Sequence, residues 1–148
     1  MRLIAIMLIL ALSAGCGSGQ GNQSAIVNNG QQTVTGTAAL GDVTAATVYL
    51  KDVENSEVSA VTLPGGSFSL DTTGMKKPYL MKAVFTNATT LYSVVPGNGA
   101  VTIDRTSNRF ATIAATGLKL AEVYLYIKAS VLVLMANKVE VLARRLTA

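Results

Sequence analysis

With 148 residues, 14% of them charged and a formal net charge of +4, the chain has material for one domain and an appendage. Its basic residues, among them Lys76, Lys77, Lys82, Arg105 and Arg109, are scattered and lack interleaved aromatics, unlike the clustered footprint of a nucleic-acid-binding protein. The absence of His and the presence of one Cys exclude an internal disulfide and any His- or Cys-based zinc set.

Met1 and Arg2 are followed by the apolar run Leu3–Leu12. That run is too short for a membrane-spanning helix, which needs about 20 apolar residues, and has the length of a signal-peptide core. The small residues Ser13, Ala14 and Gly15 then lead into Cys16. The stretch Leu12-Ser13-Ala14-Gly15-Cys16 resembles the lipobox of bacterial lipoproteins, with one departure. The family usually has Leu three residues before the cysteine, where this chain has Ser13 and sets Leu12 one step further out. The resemblance implies a signal peptide over residues 1–15, cleavage after Gly15 and diacylglycerol on the Cys16 thiol. Two or more acyl chains give stable anchoring where one gives only marginal binding. Gly17 after the cysteine, rather than Asp, implies by the same resemblance the outer membrane.

Residues 16–32 are rich in Gly, Asn and Gln, a composition that buries too little apolar surface to offset its ordering entropy. They read as a flexible tether reaching roughly 20 Å from the lipid. From Thr33 the pattern becomes short β-rich runs separated by turn residues: Thr33–Leu40, Ala46–Val53, Glu57–Leu63, Ser67–Asp71, Pro78–Thr86, Leu91–Val95 and Ala100–Ile103. Ala46, Val48 and Leu50 alternate with Thr47, Tyr49 and Lys51, the period of a half-buried strand. Phe68 and Leu70 point inward on the same logic, and Tyr79, Met81, Ala83 and Phe85 oppose Leu80, Lys82 and Val84. Evenly spaced strands without intervening helices predict a small antiparallel β-sandwich over residues 33–104.

Gly36-Thr37-Ala38-Ala39-Leu40-Gly41-Asp42, Ala46–Asp52 and Gly66-Ser67-Phe68-Ser69-Leu70-Asp71 together resemble the carboxypeptidase-regulatory-like domain. That resemblance covers about half of the chain, from Thr33 to roughly Asp104. It implies a transthyretin-like sandwich of the kind common in exported bacterial proteins, and says little about function. Pro78–Ala83 and Leu91–Val94 are similar to lipoproteins that carry this module ahead of a helical region. The Thr62-Leu63-Pro64-Gly65 stretch departs from relatives, which often place a Thr-Asp pair before the glycine.

Residues 105–148 read as a helical tail. Thr106, Ser107 and Asn108 offer capping side chains, Phe110, Ile113 and Ala114 share a face, and Gly117 can close the first helix. Leu118, Ala121, Leu125, Lys128, Leu132, Met135, Val139, Leu142 and Leu146 then recur at spacings of three and four, the seam of one long helix. Val123–Ile127 and Val131–Leu134 favour strand by propensity, but no Gly or Pro between them makes a hairpin turn. A helix over Leu118–Leu146 spans roughly 40 Å, more than the first helix can cover. Met135–Leu146 is therefore expected to be exposed in a monomer and to associate with a second copy, a protein partner or a membrane interface. A cut from a longer helical lipoprotein is the remaining alternative.

No catalytic residue, cofactor or metal ligand is expected. Lys128-Ala129-Ser130 is a nominal Ser-Lys pair, but it lies in an apolar helical pattern without a Gly-rich oxyanion loop. Asp42, Asp52, Glu54, Glu57, Asp71 and Asp104 lack calcium-loop spacing and read as turn residues. Gly15–Gly21 lacks the Lys-Ser/Thr ending of a phosphate loop and reads as linker. The expected function is a membrane-anchored, non-catalytic structural or interaction module. The alternative is a carbohydrate- or other ligand-binding module, for which the aromatics are Tyr49, Tyr79, Tyr92, Tyr124, Tyr126 and three Phe. Expected partners are the membrane through the lipid on Cys16 and a protein or second copy through the C-terminal helix, with no nucleic acid.

Overall fold

Alternation of apolar and polar side chains sets seven strands in the computed structural model, which describes residues 32–148. The signal-peptide, Cys16 and tether expectations fall outside the described residues. The strands are β1 (Thr33–Ala38), β2 (Ala46–Lys51), β3 (Glu57–Val61), β4 (Ser67–Asp71), β5 (Tyr79–Phe85), β6 (Thr90–Val95) and β7 (Gly99–Ile103). Three form one sheet in the order β4-β1-β7, with β4 antiparallel and β7 parallel to β1, so the expected all-antiparallel pairing fails at β7. The other four form an antiparallel sheet in the order β3-β2-β5-β6.

One buried cluster draws on both sheets. Val34, Phe68, Leu70 and Ile103 come from the first, and Val48, Leu50, Met81, Phe85 and Leu91 from the second. Phe68 and Leu70 are inward, as their alternation predicts. Gly36 is required where β1 is flanked on both sides, since a Cβ there would meet the Val101 carbonyl oxygen at 1.9 Å. The β2–β3 turn is organised by Asp52, almost fully buried. Its Oδ1 accepts from the amides of Glu54 and Ser56, each at 2.8 Å, and its Oδ2 from the amide of Lys76 at 2.9 Å.

The second sheet is also covered on its outer face. Leu80 and Val94, which point away from the shared core, join a separate buried cluster with residues of three helices: α1 (Arg105–Ala115), α2 (Leu120–Leu125) and α3 (Ala129–Thr147). A strand buried on both faces reads as a continuous apolar run, which is why Tyr79-Leu80-Met81 does not alternate in burial. Asp104 caps α1: its carboxylate accepts from the Ser107 amide at 2.7 Å, and Ser107 Oγ accepts from the Asp104 amide at 3.0 Å. Ser107, one of the three expected capping residues, thus completes a capping box whose N-cap is Asp104, while Asn108 is used elsewhere. Its side-chain oxygen accepts from the Tyr92 amide at 2.9 Å, while Ser107 Oγ donates to the Tyr92 carbonyl at 3.2 Å. These bonds occupy backbone groups of β6, an edge strand that would otherwise be open to pairing.

Three details of the tail differ from the sequence pattern. The inward face of α1 is Ala111, Ala114 and Ala115, small enough for a close approach, while Ile113 is 51% exposed. Its left-handed closing residue is Thr116, at φ 51°, followed by Gly117 at φ 84°. The expected helix over Leu118–Leu146 is broken between Tyr126 and Lys128, whose backbone is non-helical. Asn55 stabilises the break: Ile127 N–H donates to its Oδ1 at 3.2 Å and its Nδ2 donates to the Ile127 carbonyl at 3.1 Å. Before the break the buried positions are Leu120, Val123 and Tyr124, not Leu118, Ala121 and Leu125. Beyond it the predicted seam holds for Leu132 and Met135, which pack on the sheet. Met135 is therefore buried where exposure was expected, whereas Leu146 is 70% exposed.

Replacing Phe68 by Ala should cost about 3–5 kcal/mol, the usual range for truncating a buried Phe. Chemical denaturation checks this, and a loss below about 1 kcal/mol would be a surface-like value and would contradict the inward register of β4.

Candidate functional site

The richest cluster of polar and aromatic side chains lies on the outer face of the four-stranded sheet, beneath α2. Strand alternation turns Tyr49 and Lys51 of β2, Lys82 of β5 and Tyr92 of β6 outward, opposite Val48, Leu50 and Met81. The register aligns Tyr49 with Lys82 and Lys82 with Tyr92 in one cross-strand row. Over this row α2 lays Tyr124. Lys82 Nζ lies 4.3 Å from the Tyr124 ring centroid and 4.6 Å from that of Tyr49. The Tyr92 and Tyr124 rings are tilted by 56° with centroids 6.2 Å apart.

Tyr124 is the centre of the cluster. Its hydroxyl donates to Glu57 Oε2 at 2.6 Å, and its carbonyl accepts from Lys51 Nζ at 3.2 Å. Burial pushes its hydroxyl pKa well above the ordinary tyrosine range, and the hydrogen bond to Glu57 and that carboxylate's charge add to the shift. Burial raises Tyr92 as well. Aromatic faces around a cation are a recognition device for ammonium groups. Here the chain's own Lys82 fills that position, so the cluster holds α2 to the sheet. Its side chains are tyrosines, lysines and one glutamate, with no Cys or Ser beside a base.

Most of the acidic residues noted in the sequence are engaged by donors of the chain itself. Asp52 and Asp104 bind backbone amides, Asp71 accepts from the Thr73 amide, and Glu54 pairs with Lys76. Among the described residues no three acids gather where they could share a metal ion. Lys128 and Ser130 are exposed at the start of α3. Of the tyrosines, Tyr79 and Tyr124 are buried, Tyr49 and Tyr92 are half-buried, and Tyr126 is 79% exposed.

A second surface feature follows the junction of α1 and α3. One groove of about 430 Å³ is lined by Ile113, Asn137, Lys138, Val141, Leu142 and Arg145. The other, of about 510 Å³, shares Ile113 and adds Arg105, Arg109, Phe110 and Leu146. The sequence pattern indicates an exposed apolar tail but not this groove, because Arg105 and Arg109 are far in sequence from Lys138 and Arg145. Among the described residues no helix is long and apolar enough to cross a membrane.

No protein-family model, curated protein or solved structure matches the chain.

The Tyr124 proton has a consequence for stability in alkali. The unfolded chain releases a tyrosine proton near pH ~10, whereas the folded chain retains this one. The resulting stability is complete below that pH and falls above it by about 1.4 kcal/mol per pH unit. Denaturation midpoints measured between about pH 9 and 11, on either side of the free tyrosine value, should fall less steeply for Tyr124→Phe than for the natural chain. Parallel losses in the two proteins would show that Tyr124 is not held protonated.

Proposed function

We propose that the chain is a lipid-anchored envelope protein whose β-rich unit is a non-catalytic interaction module. The observation that carries this reading is Leu12-Ser13-Ala14-Gly15-Cys16 placed directly after a short apolar run. Cys16 is the attachment point, and residues 17–32 connect it to the strands. The outer membrane is the proposed location, on the Gly17 that follows the cysteine.

The module is a small transthyretin-like sandwich of the carboxypeptidase-regulatory-like kind. Two sheets of three and four strands sharing one buried cluster support this reading. An interaction role suits the unit better than catalysis, because its densest polar cluster is occupied internally by Lys82, Tyr124 and Glu57. A sugar-binding role has less to stand on: Tyr126 is the one tyrosine widely open to solvent for ring stacking.

Mass spectrometry of the protein recovered from bacterial membranes tests the anchor. The mature N-terminus should be an acylated Cys16 with residues 1–15 removed, and Cys16→Ser should abolish the acyl mass. A free Cys16 thiol on a protein released into the soluble fraction would overturn the reading.

A further inference from the structure

The groove between α1 and α3 carries charge of one sign. The two helices run antiparallel: Lys138 Nζ donates to Thr116 Oγ1 at one end, and Leu146 lies with Arg105 and Arg109 at the other. Ile113, Val141 and Leu146 are 51, 48 and 70% exposed along this line. Arg105, Arg109, Lys138 and Arg145 line the grooves, and no acidic side chain does. None of these four cations is ion-paired among the described residues, whose salt bridges are Lys76–Glu54, Lys119–Glu122 and Arg144–Glu140. Residues 1–31 contain no Asp or Glu to neutralise them.

We propose that this face docks on an anionic lipid surface, with Ile113, Val141 and Leu146 entering the headgroup region and the four cations meeting lipid phosphates. Helices that lie in a bilayer interface combine this kind of apolar strip with flanking Lys and Arg. The charge pattern selects the lipid over a second copy of the chain. Two-fold apposition would bring the four cations of one copy against the cationic groove of the other, and like-charge juxtaposition costs several kcal/mol. The inference builds on the envelope reading, which supplies a nearby bilayer, but its test needs no lipid on Cys16.

Vesicle flotation with residues 16–148 carrying Cys16→Ser provides that test, since this form retains every described strand and helix. The protein should float with vesicles of equal parts phosphatidylcholine and phosphatidylglycerol and stay behind with phosphatidylcholine alone. Binding should fall steeply between about 0.1 and 0.5 M salt as screening tightens. A cation near an anionic surface contributes about fivefold in partitioning, so Arg109→Gln with Arg145→Gln should reduce binding about 25-fold. Ile113→Asp should also release the protein, and circular dichroism should show both variants folded. Equal binding to the two vesicle types, no binding, or no effect of the double variant would overturn the proposal. So would a dimer in sedimentation that Ile113→Asp dissolves while vesicles capture nothing, which would assign the face to a second copy. Loss of Cys16 acylation would refute the anchor and leave these results unchanged.

Discussion

Leu80 and Val94 project from the side of the four-stranded sheet that faces away from the other sheet, yet they are 0 and 5% exposed. They are covered by Leu132, Met135 and Ala136 of α3 and by Ala111, Ala114 and Ala115 of α1. Burying a large aliphatic side chain stabilises by about 1.5–3 kcal/mol, so this second cluster is comparable with the margin of a small domain. Without the helices, an apolar strip would lie open beside the edge strand β6. The tail is thus a third layer of the fold. What remains available for contact is its outer side, where Ile113, Val141 and Leu146 stand among arginines and a lysine.

Two polar connections determine how that layer sits. Asn55, in the β2–β3 turn shaped by Asp52, binds both backbone groups of Ile127 and so satisfies the chain where α2 stops. A helix end leaves such groups without partners, and here a turn 72 residues away supplies them. Tyr124 makes the second connection, reaching from α2 to Glu57 of β3 and lying against Lys82 of β5. Their hydrogen-bond partners Asn55 and Glu57 belong to the β3 side of the sheet, while α1 is tied to β6 through Ser107 and Asn108. The helices are therefore held across the width of the sheet.

The strands were readable because their signal is local. Period-two alternation bounded by Gly, Pro, Asn and Asp places Ser67–Asp71 to the residue, and the other strands within a few residues at their ends. The seam Leu132, Met135, Val139 and Leu142 was equally readable within α3, where burial follows it. Upstream it misleads, because the break at Tyr126–Lys128 depends on Asn55 and carries no Gly or Pro to announce it. Helical spacing groups Phe110, Ile113 and Ala114 on one face, whereas Ala111, Ala114 and Ala115 allow the closer approach and form the buried side. The Tyr49–Lys82–Tyr92 row requires the pairing register, and the cationic groove requires the antiparallel meeting of α1 and α3. Cys16 is the opposite case, legible in sequence and outside the described residues.

The tail belongs to the folded core, and native-state amide hydrogen exchange measures how firmly it is held. Amides of Leu132, Met135 and Ala136 should exchange only through global unfolding, with the same free energy and denaturant dependence as those of Met81 and Ala83 in β5. Exchange of the α3 amides through a much smaller opening, while β5 remains protected, would instead make the tail a separate arm.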